Sequence, residues 1–103
     1  MPLGWNITVY RQQSDGSEPA SFGAKQGSEL AVWQTGLDGL RWLDELCKKG
    51  HAIDLGGDGY PCEYSAKASH VTPHLLGKTT THSKTIDACR SDEWLIVQAW
   101  DQS

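Results

Sequence analysis

TGLDGLRWLDELCKKGHAIDLGGDGYPCEY, residues Thr35 to Tyr64, is the part of the chain where neighbouring local signals agree with one another. Thr35 followed three residues later by Asp38 is a short-armed capping box, in which each side chain takes a backbone N–H left free at a helix start. A helix beginning near Gly36 places Leu40, Leu43 and Cys47 on one side with Leu46 beside them. Arg41, Asp44, Glu45 and Lys48 then fall opposite. Asp44 with Lys48 and Glu45 with Lys49 are acid-first pairs four residues apart, each adding a few tenths of a kcal/mol. Gly50 should stop the helix, since a left-handed residue there costs glycine nothing. Gly36 and Gly39 project toward the apolar side despite a helix penalty of about 1 kcal/mol each, which points to close approach to a sheet.

Beyond Gly50 the period changes to two. His51, Ile53 and Leu55 alternate with Ala52 and Asp54, and Tyr60, Cys62 and Tyr64 alternate with Pro61, Glu63 and Ser65, as in two strands. Gly56-Gly57-Asp58-Gly59 between them is a run that tolerates positive φ, so a hairpin loop is expected. Pro61 lacks a donor, which predicts an edge position for the second strand or a bulge at its start.

Working outward, Trp5, Ile7 and Val9 give an opening strand one apolar face, with Trp5 expected in the core. Residues 12 to 28 lose all periodicity, a long connection for a small domain, and read either as a flexible connector or as a recognition loop anchored by Phe22. Glu29 to Gln34 reads as a strand. Ser69 or Thr72 could cap a short helix at about 69–76, with Pro73 in its first turn and a stop at Gly77. An edge strand around 78 to 83 and a weak strand around 85 to 89 follow from the threonines. Glu93 to Trp100 is apolar on both faces, as in a central strand covered on both sides or half-covered by a second copy. Trp94 is expected to be buried.

The sum is one domain over residues 1–103. Its class is α+β: a two-layer sandwich with a mainly antiparallel sheet of four to six strands, one main helix at about 36–49 and a short second helix at about 69–76. A chain of 103 residues is too short for a second core. The first and last strands are expected inside the sheet.

The formal charge is −4. Over residues 51 to 75, Asp54, Asp58 and Glu63 stand against Lys67, a local balance of −2, so a basic partner fits better than an acidic one. Lys48 and Lys49 alone make no basic stripe, which argues against nucleic acid. The opening MPLGWNITVYRQ has no basic segment followed by an apolar run, and no long apolar stretch follows, so neither export nor a membrane span is expected. Three cysteines cannot all pair within one chain, which suggests a reducing, cytoplasmic setting.

No catalytic signature emerges. Cys62, His70 and His74 are the conceivable metal set, with the two histidines one helical turn apart; a helix starting at Pro73 would leave His70 outside it. Cys89 or Cys62 with His70 or His74 is the conceivable nucleophile and base, but sequence shows only that these residues coexist. The glycine turn joins two strands, not strand to helix, and so is no phosphate cradle. No cofactor is implied. Trp42 projects to the margin of the polar face, where an indole among charges is a common anchor for a partner protein. The expected function is therefore a cytoplasmic protein-binding module, of an inhibitor, immunity-type antagonist or accessory-subunit kind. Its expected surface is Trp42, Asp54, Asp58, Tyr60, Glu63 and Tyr64, facing a basic protein. The alternatives are a small Cys/His enzyme or ligand-binding domain, and a homo-oligomer joined through strand 93–100.

Overall fold

A computed structural model of the chain describes residues 4–12, 26–57, 61–75, 80–81 and 83–101. Strands β1 (Trp5–Gln12) and β2 (Gln26–Thr35) are followed by a 3-10 turn (Leu37–Leu40) and helix α1 (Arg41–Lys48). Strands β3 (Ala52–Gly57) and β4 (Cys62–Lys67), helix α2 (Ala68–Leu75), the two-residue β5 (Thr80–Thr81), helix α3 (Ser83–Ala88) and β6 (Trp94–Asp101) complete the order. The sheet runs β3-β4-β6-β1-β2-β5, and its strand pairs are antiparallel. The α+β class is as expected, and β1 and β6 lie at the centre.

β6 joins two hairpins. It pairs with β1 on one side, Ile7 opposite Ala99, and with β4 on the other, Ser65 opposite Ile96. Directly opposed residues share a face. One face therefore carries Ile7, Val9, Ala31, Trp33, Leu95, Val97, Ala99, Tyr64, Ala66 and Ala52, against which Leu43 and Leu46 of α1 and Val71 and Leu75 of α2 pack in one core cluster. Ile86 and Cys89, in and just after α3, pack against its edge. The opposite face is also buried along its middle, but by polar residues: Thr8, Gln98, Glu63 and Ser65 accompany Ile96. Gln98 Nε2 donates to Glu63 Oε2 at 2.9 Å, and Ser65 Oγ donates to the Leu95 carbonyl at 2.8 Å, which satisfies groups that would otherwise be costly to bury. The middle of β6 is thus buried on both faces within one chain, while Trp100 near its end is 39% exposed.

The helix that follows β2 starts later and differently than expected. Thr35 ends β2, Gly36 is extended, and no side chain caps the 3-10 turn. A Cβ on Gly39 would overlap the Thr35 side chain, whereas one on Gly36 would meet nothing. Close approach is real at Gly39 and absent at Gly36. The expected stop is observed in full: at Gly50, φ +78°, the His51 N–H donates to the Leu46 carbonyl at 2.8 Å and the Gly50 N–H to the Cys47 carbonyl at 3.1 Å, the paired bonds of a Schellman end.

α2 takes its N-terminal hydrogen bonds from a distant turn, not from Ser69 or Thr72. Ala68 N–H donates to Glu93 O at 2.8 Å and Ser69 N–H to Ser91 O at 3.1 Å. The helix consequently begins early enough to contain Pro73 and both histidines. Segment 83–88 is a helix, not the weak strand expected at 85 to 89. Pro61 stands just before β4, an interior strand, and the irregularity lies across from it, between Asp54 and Gly56 of the edge strand β3. There Asp54 Oδ1 accepts the Gly56 N–H at 2.8 Å. Trp5 and Trp94 are half-buried, and Lys67 Nζ sits 5.8 Å from the Trp94 ring; Trp33, 6% exposed, is the core tryptophan. Phe22, Asp58, Tyr60, the Gly77 stop and most of the 12–28 connection lie outside the described residues.

Candidate functional site

The first turn of α1 carries Trp42 to the boundary between core and solvent. Below it, the Trp33 ring of β2 lies 6.1 Å away at a 38° tilt; beside it, the His74 ring of α2 stacks at 4.8 Å. At the far end of α1, His51 stacks on His70 with 3.9 Å between centroids and 19° between planes. His70 and His74 are one turn apart on α2, so a single face of that helix addresses both ends of α1, and the two helices pass in opposite senses. Trp42 is therefore held by three elements. Of its two ring partners, Trp33 is buried and His74 is exposed.

On its open side Trp42 borders a shallow groove of about 360 Å³, whose other walls include Trp33, Asp38, Arg41 and Glu45. A second groove of about 370 Å³ continues along the helix past Asp44 and Lys48 and shares Asp38, Arg41 and Glu45 with the first. Glu45 lies three residues after Trp42 on α1, a spacing that puts the two side chains on one helical face, and Asp38 reaches the same groove from the 3-10 turn before α1. Arg41 and Asp38 approach to 3.7 Å, with side chains 72% and 87% exposed, a loose pair of small energetic weight.

The acidic character extends from α1 to the sheet edge. Burial pushes the Tyr64 hydroxyl up to about 12, helped by the carboxylates of Asp54 and Asp44. The Cys47 thiol is pushed up by the same causes in the same order. Asp44 of α1 and Asp54 of β3 therefore act on a common region. Comparison with known protein families, curated proteins and solved structures finds no match.

The expected surface is only partly assembled. Trp42 is half-buried and Asp54 exposed on adjoining elements. Glu63 (3% exposed) and Tyr64 (7%) are buried and cannot contribute to an exposed patch. The reason is strand alternation: as neighbours in β4 they point to opposite faces, Tyr64 under the helices and Glu63 toward Gln98. Asp58 and Tyr60 lie outside the described residues. Asp38, Glu45 and Trp33 line the groove with Trp42 and were missed, although the three-residue step from Trp42 to Glu45 was readable.

The conceivable metal set is not brought together. Among the described residues no three His, Cys, Asp or Glu side chains converge on a common point, and both α2 histidines instead face aromatic rings. Cys47 and Cys89 are not primed as nucleophiles. Cys89 Sγ donates to the Thr85 carbonyl at 3.4 Å, and its thiol is pushed up by burial and by Glu93, against a smaller opposing effect of Arg11. An activated cysteine requires the opposite shift. No helix among the described residues is long and apolar enough to cross a membrane.

Proposed function

We propose that this chain is a protein-binding module, of an inhibitor, immunity-type antagonist or accessory-subunit kind, that presents the aromatic and acidic side of α1 to a basic partner. The observation that carries this reading is Trp42, fixed between Trp33 and His74 while bordering a groove with Asp38 and Glu45. A pre-positioned indole supplies contact area with little ordering cost on binding. The carboxylates of Asp38, Asp44, Glu45 and Asp54 orient and accelerate encounter with positive charge.

The Cys/His enzyme reading gains nothing from Cys89, whose thiol is pushed up by burial. The oligomer reading is left with Trp100, 39% exposed, at the end of an otherwise largely buried β6.

The test is comparative capture from the cells that make the protein, using immobilised wild type, Trp42→Ala and Asp38→Asn/Glu45→Gln. A basic protein retained by wild type and released by salt should be lost on Trp42→Ala and weakened on the double variant, whose exposed sites leave folding intact. Equal recovery of the same proteins by all three would remove the α1 surface as the binding face.

A further inference from the structure

We infer that Asp54 keeps the outer edge of β3 closed to a second copy of this chain. The sheet ends on β3 at one side and on the two-residue β5 at the other. β3 is therefore the long edge, and among the described residues no strand pairs with its outer side. Such an edge carries a row of backbone N–H and C=O groups onto which another strand can add. In its sequence, AIDLGG, the exposed Asp54 stands between the half-buried Ile53 and Leu55.

Backbone shape and charge both oppose addition at this edge. The register with β4 shifts between Asp54 and Gly56, and Gly56 and Gly57 have φ of +95° and +118°, so the strand does not run straight past Asp54. At that break Asp54 Oδ1 accepts the Gly56 N–H at 2.8 Å, which spends a backbone donor within β3 itself. A symmetric antiparallel pair of β3 strands keeps like faces together, so its two-fold axis falls at a residue. The central candidates are Asp54 and Leu55, and Leu55 lies at the register shift. A pair centred on Asp54 sets its carboxylate directly opposite the same carboxylate of the copy, and like charges so placed destabilise a sheet.

The experiment is sedimentation equilibrium of the full chain over a concentration series, for wild type, Asp54→Asn and Asp54→Val. Asparagine keeps an acceptor for the Gly56 N–H and drops the charge, whereas valine removes both and favours strand. Asp54→Val should dimerise at concentrations on the order of tenfold below any at which wild type does, and Asp54→Asn should fall between the two. Where the mass rises, the amides of residues 52 to 55 should gain protection from hydrogen exchange. Asp54→Asn retains the local hydrogen bond and so decides the matter even if circular dichroism shows Asp54→Val unfolded. An Asp54→Asn mass indistinguishable from wild type at every concentration, a wild type already paired through β3, or association that leaves the β3 amides unprotected would each overturn the guarded edge.

Discussion

At the scale of single residues, the two glycines before α1 have opposite roles. Gly36 is extended and open, so Gly36→Ala should be tolerated and should stabilise by a few tenths of a kcal/mol through the unfolded chain. At Gly39 a new Cβ would fall 2.7 Å from Thr35 Cβ, with closer overlap on the Thr35 side-chain tip. Gly39→Ala should therefore lower stability by about 1–3 kcal/mol, read from urea midpoints, although helix propensity alone favours alanine. Equal midpoints for the two variants would mean that Thr35 does not crowd Gly39. The thiols give a second residue-scale prediction: Cys47 and Cys89 should react with iodoacetamide more slowly at pH 7 than an unstructured cysteine, and faster after unfolding. One of them labelling faster in the native protein would contradict the upward shifts. What sequence could show at this scale was spacing. Trp42 and Glu45, three apart, announce a shared face, and Gly50 announces a stop. Thr35 as a cap was misread, because its backbone is claimed by β2.

Between elements, one contact ties β1 to the turn that precedes β6. Arg11 donates through Nε to Glu93 Oε2 at 3.1 Å and through its terminal nitrogen to Oε1 at 3.0 Å, while the Arg90 N–H donates to Oε1 at 2.8 Å. Burial alone would push the Glu93 carboxyl upward, but these donors outweigh it and hold the group below its ordinary 4.5. Glu93 also lends its carbonyl to the start of α2. Arg11→Met should therefore cost about 3 kcal/mol, by leaving a buried carboxylate without its partner. A lowered folded-state pKa stabilises fully above 4.5 and is lost as pH falls through the folded value. Glu93→Gln should accordingly show a shallower decline of stability with acid below pH 4.5; an unchanged slope would detach Glu93 from the acid response. None of this pairing was readable, since the partners lie 82 residues apart. A second non-local pairing explains the missed start of α2, capped by carbonyls of the 91–93 turn. Segment 83–88 was misassigned because threonine content suggested strand, while its apolar Ile86 and Cys89 fall three apart, a helical spacing.

For the molecule as a whole, the period-two and period-3.6 patterns were enough to recover an antiparallel sheet under helices, with both sequence-terminal strands inside. They were not enough for the site, which needs the tertiary placement of Trp33 and His74 around Trp42. They also concealed that the polar residues Thr8, Glu63, Ser65 and Gln98 are buried, because alternation reveals which residues share a face but not what covers it. The order β3-β4-β6-β1-β2-β5 has a further outcome for how this protein comes into being. While the ribosome still holds residues 94–101, the two hairpins of the emerging polypeptide have no strand to pair them, so the sheet stays open at its centre. Completion of the sheet waits for β6, a late and non-local closure that is slow by nature. A chain ending at residue 90 should remain unfolded by circular dichroism, and a synthetic peptide of residues 91–103 added in trans should restore the native spectrum.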